Sequence, residues 1–303
     1  MKAMSVLGPV DPALLGFTQP HEHLLCDLHK VVIHTVDGLL NDEALAAEEL
    51  LFFKRAGGGT LVDVTNRGLG RNPAAVKRIS QATGVHLIVG CGWYRGRFYD
   101  ESIDRTPTND LAADMVRDVE EGIDGTGIRA GIIGEIGAEG SYLTAAEERV
   151  LRAAGRAHRR TGAAVTTHAV GYPLGVRQLD ILAEEGVDPR RVIVGHCDHY
   201  LFLDYQEAIL RRGAYVEFDN FGNKIAYSDE RRIAMLLELL RLGFERQIVL
   251  ATDVCLRSHL HAYGGHGYDH ILTAILPALR EKGVSEEQLH LLTVENPARV
   301  LAF

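Results

Sequence analysis

The chain has 303 residues, 46% hydrophobic and 24% charged, enough to bury a large core as a globular protein. Its formal net charge of -9 and pI near 5.9 argue against a nucleic-acid partner or an anionic membrane surface. No basic stretch followed by an apolar one opens the chain, and no apolar run is long enough to span a bilayer, which predicts a cytoplasmic protein.

Leu14, Leu15 and Phe17 form an apolar run that reads as a first strand, leading into Thr18-Gln19-Pro20-His21-Glu22-His23. Side chains alternate along a strand, so His21 and His23 share a face and Glu22 points elsewhere. A helix is predicted over 41–56, stopped by Gly57-Gly58-Gly59, then a strand over 60–65 and a helix over 72–83 ended by Gly84. A third strand follows at 86–91. Residues 93–108, rich in aromatics and arginine, read as a long loop, and 109–122 as a helix capped by Thr108 or Asn109. Strands at 130–136, 163–167, 192–195, 214–218 and 247–251 then alternate with helices at 144–161, 175–185, 203–212 and 228–242. Two apolar helices, 270–282 and 285–292, close the chain and could serve a homodimer.

Eight apolar strands separated by helices imply parallel pairing and a (β/α)8 TIM barrel. A doubly wound open sheet is disfavoured because no glycine-rich phosphate turn follows the first strand. No linker or charge block divides residues 1–303, so a single domain is expected. Cys26, Cys91, Cys197 and Cys255 are scattered, with no CxxC pair to suggest a disulfide framework or a zinc knuckle.

Catalytic groups in such a barrel sit at the C-terminal strand ends. Strand one ends in His21 and His23, strand four in Glu135, strand five in His168, strand six in His196 and strand eight in Asp253. Any one of these has an ordinary structural explanation, but six together are harder to explain so, because strand interiors in this fold otherwise favour branched apolar residues. Four imidazoles and two carboxylates exceed one tetrahedral zinc and suit two divalent ions roughly 3.5–4 Å apart. Glu135 is the natural bridge, because a carboxylate can give one oxygen to each ion. His21, His23 and Asp253 would hold the more buried ion, and His168 and His196 the more exposed one. Zinc is expected, and manganese, cobalt or iron would accept the same ligands.

The chain resembles the phosphotriesterase-related family of the amidohydrolase superfamily. The matching segments are Gly16 to Leu24, Arg129 to Gly137, Thr167-His168, Val194 to Asp198, Phe218-Asp219, Thr252-Asp253, Arg257 to Leu260, Gly264 to Tyr268 and Glu295-Asn296-Pro297. The resemblance covers essentially the whole chain and implies a binuclear, usually zinc, hydrolase. Many members bridge the ions with a carboxylated lysine where Gly134 stands here, whereas Glu135 resembles the glutamate bridge of a lactonase-like subgroup. A bridge shifted by one residue needs a differently aimed backbone, which makes organophosphate hydrolysis the less expected activity.

Two such ions make a water acidic enough to attack a carbonyl near neutral pH. Asp253 would accept its proton and pass it to the leaving group. By the resemblance, Tyr94 in Cys91-Gly92-Trp93-Tyr94 matches a tyrosine that lactonases place beside the ions, and Trp93 and Phe98 would add an apolar wall. Lys224 and Arg257, in the loops after strands seven and eight, could select an anionic substrate such as a sugar lactone phosphate. His199, His259, His261 and His266 are further rim residues. The expected activity is lactone or carboxylic ester hydrolysis of a small molecule. N-acyl amide or phosphotriester cleavage is the alternative from the same centre, and a metal-stabilised binding protein the alternative from another class. A full ligand set with a free base argues against that last reading.

Overall fold

Each apolar strand segment is followed by enough chain to cross back over the sheet, and this makes neighbouring strands parallel. The structure, a computed structural model, describes residues 1–33, 35–223 and 226–303. Its sheet runs in chain order through β1 (Phe17–Glu22), β2 (Gly58–Asp63), β3 (His86–Cys91), β4 (Ile132–Ala138), β5 (Val165–Ala169), β6 (Val192–Val194), β7 (Tyr215–Phe218) and β8 (Ile248–Leu250). All seven pairings are parallel. At the seam between β8 and β1 no ladder forms among the described residues, and the His23 amide donates to Val254 O (3.2 Å) just beyond both strands. The result is the expected (β/α)8 barrel.

Alternation along the strands divides the core in two. Leu61, Leu87, Ile133 and Val165 pack with the surrounding helices. Val62, Ile88, Ile132, Ile193 and Val249 form a second cluster that fills the lower barrel with Ala3, Leu15 and Leu301. The helices start and stop where local chemistry dictates. Asp42 caps α1 (Glu43–Ala56) and Asn72 caps α2 (Pro73–Thr83), while Gly57 and Gly84 end them in left-handed conformations.

Several boundaries differ from expectation. The apolar run does not begin β1: Pro12–Leu14 is a 3-10 turn, Leu14 is exposed, and the strand starts at Phe17. Neither Thr108 nor Asn109 caps a helix, since the helix Thr108–Glu120 begins directly after Pro107 with no side-chain cap. The expected loop at 93–108 holds a 3-10 turn, Gly96–Phe98, and a helical turn, Ser102–Arg105. The C-terminal helices are interrupted by wide π-turns, Ile271–Ile275 and Leu291–Glu295, and a further helix, Asn296–Leu301, follows the second. Pro277 and Pro297 explain both interruptions, because each lacks an amide donor and crowds the carbonyl one turn back. Ile271, Ile275, Leu279 and Leu292 of these helices are buried within the chain. Among the described residues no helix is long and apolar enough to cross a membrane.

Candidate metal centre

Two bulges aim the side chains. Between Gln19 and Glu22, β1 takes three steps while β2 takes two, and the extra residue falls at Pro20-His21, where proline has no amide to offer the ladder. Between Ile133 and Ile136, β4 likewise gains one residue over Val165 to Thr167 of β5, and this bulge holds Gly134-Glu135. Gly134 has φ +128, and a Cβ there would stand 2.3 Å from Thr166 O. No side chain fits at that position in this backbone, and the carboxylate of the next residue enters the barrel instead.

The structure brings His21, His23, Glu135, His168, His196 and Asp253 together. Glu135 Oε1 lies 3.4 Å from His23 Nε2. Its Oε2 lies 2.7 Å from His168 Nδ1, 3.5 Å from His196 Nε2 and 3.5 Å from His21 Nε2. Asp253 Oδ1 lies 3.5 Å from His23 Nε2 and 4.0 Å from His21 Nε2. His21, His23 and Asp253 form one group able to hold a cation, and His21, Glu135 and His196 another. Two of the converging atoms, His21 Nε2 and Asp253 Oδ1, are buried with no hydrogen-bond partner. An orphaned nitrogen aimed at an orphaned carboxylate oxygen is what a cation between them would satisfy. His196 (φ 56) and Asp253 (φ 47) also adopt left-handed backbone that L residues seldom take, and such strain gathers at functional sites.

The outward ring nitrogens are tied down. His21 Nδ1 donates to Glu217 Oε2 (3.0 Å) and His196 Nδ1 to Asp219 Oδ1 (3.0 Å), and His23 Nδ1 lies 2.8 Å from Thr65 Oγ1. In the neutral form of His21 and His196 these bonds leave the Nε2 lone pair facing the centre, the form that would bind an ion. Three buried carboxylates, Glu135, Glu217 and Asp219, thus crowd together with the partly exposed Asp253, and none of the described ion pairs joins any of them to a lysine or arginine. Their field is felt by the imidazoles. Burial works to lower the His196 pKa, but the Asp219 carboxylate overrides it and lifts the value to about 10. Burial likewise opposes the ionised form of Glu135, yet His168 and His21 hold it well below the usual carboxylate range. A site so rich in anionic ligands is electrostatically suited to divalent cations.

Around the centre, Tyr94 is buried with its hydroxyl 3.3 Å from His168 Nε2, and its ring packs on Phe98 at 5.0 Å. Trp93 is buried beneath the Arg67 guanidinium. Lys224 lies outside the described residues. Arg257 does not match its expected role: its guanidinium donates to Leu39 O (2.8 Å) and Asn41 Oδ1 (3.1 Å), bracing the hairpin Cys26–Asp27 with Leu39–Leu40. His199 pairs with Asn220 Oδ1 (2.9 Å) and His261 with Asp269, while the tilted rings of His259 and His266 pack with centroids 5.1 Å apart beside a cavity of about 950 Å³. Sequence reasoning assigned nothing to Glu217 or to Thr65, and gave Asp219 no role. A signal existed in Tyr215-Val216-Glu217-Phe218-Asp219, where two acids share the inward parity of Tyr215 within an apolar strand.

A parallel barrel that gathers imidazoles and carboxylates on its C-terminal rim defines a metal-dependent hydrolase. The model of the Phosphotriesterase family matches residues 1–301, and the chain belongs to that family. It is 39% identical to the Phosphotriesterase homology protein of Escherichia coli (strain K12) over 284 residues, covering 94% of this chain and 97% of that protein. It is 33% identical to the N-acetyltaurine hydrolase of Danio rerio, covering 100% and 98%. A lactonase from Listeria monocytogenes superposes with a TM-score of 0.94 at 29% identity, covering 100% and 99%.

Proposed function

We propose that the chain hydrolyses a lactone or carboxylic ester at a centre of two divalent ions, zinc in the cell. The observation that carries this reading is the division of the Glu135 carboxylate, one oxygen toward His23 and the other toward His168 and His196. In this reading His21, His23 and Asp253 would hold one ion and His168 and His196 the other, with Glu135 a ligand available to both. When bound, such ions supply a nucleophile from water at neutral pH and polarise a carbonyl. The chain's own groups do the rest. Asp253 has 15% of its side chain exposed, against 4% or less for the other five, so its carboxylate is the one open to the substrate. It accepts the proton released on attack and returns it to the leaving oxygen. Burial holds the Tyr94 phenol well above its usual pKa, so it stays protonated and can donate a hydrogen bond to that oxygen. Lys224 is retained as a contact for an anionic substrate.

A second reading, N-acyl amide hydrolysis, is favoured by the N-acetyltaurine hydrolase of Danio rerio, which matches this chain along its whole length. The four cysteines are unpaired, which suits a reducing cytoplasm.

Metal content per chain and turnover of lactones, esters, N-acyl amino acids and paraoxon, measured on one sample, test the proposal. About two metals with selective lactone or ester turnover supports it, and selective amide turnover replaces the substrate. Asp253→Asn should lower kcat by about 10²–10⁴-fold with most of the metal retained. An Asn variant with near wild-type kcat sinks the role given to Asp253.

A further inference from the structure

Glu22 stands between two residues of the centre, His21 and His23, but its side chain leaves them and crosses the open seam of the barrel. β8 ends at Leu250, and beyond it the amides of Thr252 and Val254 meet no strand carbonyl, because β8 and β1 share no ladder among the described residues. The Glu22 carboxylate takes that part. Its Oε1 accepts from the Thr252 amide (2.7 Å) and the Thr252 hydroxyl (2.6 Å), and its Oε2 accepts from the Val254 amide (2.7 Å). All three donors are buried. The residue enclosed by the two amides is Asp253, whose φ of 47 an L residue rarely adopts unless its neighbours impose it. Glu22 is itself fixed, since its backbone carbonyl accepts from the Val64 amide (3.0 Å) and it pairs in register with Asp63 of β2.

We propose that Glu22 is the positioning residue of Asp253. By holding the amides on either side, its carboxylate locks the left-handed turn that aims Asp253 Oδ1 at His21 and His23, and in the same contact closes the barrel. The glutamate of the His-Glu-His stretch thereby sets the geometry of a ligand 231 positions away. This inference rests on the reading of Asp253 as an ion ligand.

The test is zinc affinity of the full chain by competition with a chromophoric chelator, together with the visible spectrum of the cobalt-loaded chain. Glu22→Gln keeps one acceptor oxygen and turns an NH₂ toward an amide, so one of the two ions should bind about 10–100-fold more weakly with a changed cobalt spectrum. Glu22→Ala, which keeps no acceptor, should lose more at that ion, and the other ion should stay within about twofold. Wild-type affinity and spectrum in both variants, while Asp253→Asn weakens one ion or changes the cobalt spectrum, overturns the proposal and leaves the centre standing. A cobalt spectrum and zinc affinity of Asp253→Asn both identical to wild type overturn the reading of Asp253 and the proposal with it. Should the variants not fold, amide hydrogen exchange in the unmodified chain decides. Thr252 and Val254 exchanging as slowly as Val249 supports the clamp, and exchange at loop rates overturns it.

Discussion

Replacing Gly134 by alanine should destabilise the barrel by about 2–6 kcal/mol and empty the centre with it. At φ +128 glycine occupies backbone that costs an L residue roughly 1–3 kcal/mol. The added Cβ would also sit 2.3 Å from Thr166 O and 2.7 Å from Thr166 Cγ2. Thr166 is fully buried in β5, so neither strand can retreat without breaking the ladder, and overpacking of this kind costs about 1–3 kcal/mol more. Whatever movement relieves the clash shifts the bulge that carries Glu135, whose two oxygens face four imidazoles. Urea unfolding followed by the fluorescence of Trp93, the one tryptophan of the chain, reads the stability change, and elemental analysis of the same sample reads bound metal. A loss below about 1 kcal/mol with metal content unchanged would refute the claim that this backbone admits no side chain at 134.

Three further outcomes follow from the site and its surroundings. Arg232→Met leaves Asp198, fully buried and paired with that guanidinium at 2.9 Å, without its cation; the expected cost is about 3–5 kcal/mol by urea unfolding, and a cost under about 1 kcal/mol would contradict it. Burial, with His259 and His270 alongside, pushes the His266 pKa down to about 3, below its unfolded value of about 6.5. The unfolded chain therefore binds more protons between these values, and stability present above about pH 6.5 is lost as the pH falls toward about 3. His266→Gln should narrow the difference in urea midpoint between about pH 7 and about pH 5, and an unchanged difference counts against the assignment. Stripping the metal with a chelator should abolish hydrolysis and lower stability by about 2.7 kcal/mol per ion for ions held at about a hundred times their Kd; a chelated chain with an unchanged midpoint would show that no ion sits in the fold.

The residues at the centre were legible because they break a pattern. His168 and His196 interrupt apolar strands at the end where a parallel barrel keeps its chemistry, and a polar residue there has little else to do. Glu22 was legible only as a side chain pointing away, since its partners come from the far end of the chain and no local periodicity reports a contact across a barrel seam. Arg257 misled for the opposite reason. A cation in a loop after strand eight looks free in sequence, and only the fold brings the Leu39 carbonyl beneath it. The C-terminal helix Asn296–Leu301 was missed because Pro297 reads as a terminator, whereas in the fold it stands in a first turn, where its absent amide goes unused.

The strand β7 and the residue after it carry the carboxylates that stand behind the imidazoles of both candidate groups. Asp219, one residue past β7, puts Oδ1 on His196 Nδ1 (3.0 Å) and Oδ2 both on the His196 amide (2.7 Å) and 3.4 Å from His21 Nδ1. Asp219 thereby orients His196, and its neighbour Glu217 orients His21 through the 3.0 Å bond to Nδ1. Asn220 Nδ2 donates to Asp219 Oδ1 (2.6 Å) and to Asp198 Oδ1 (3.1 Å), and Asp198 Oδ2 accepts from Arg232 Nε. Arg232 Nη1 in turn donates to Asn223 O (2.9 Å) and Tyr227 O (2.5 Å), the two sides of the loop that carries Lys224. A chain of hydrogen bonds thus runs from the carbonyls of Asn223 and Tyr227 through Arg232, Asp198, Asn220 and Asp219 to the His196 imidazole. Buried charged networks have few alternative arrangements, because each unmade bond leaves a desolvated polar group behind. On the proposed role of this loop in substrate binding, Asn223→Ala should change kcat together with KM, and a change in KM alone would contradict the coupling.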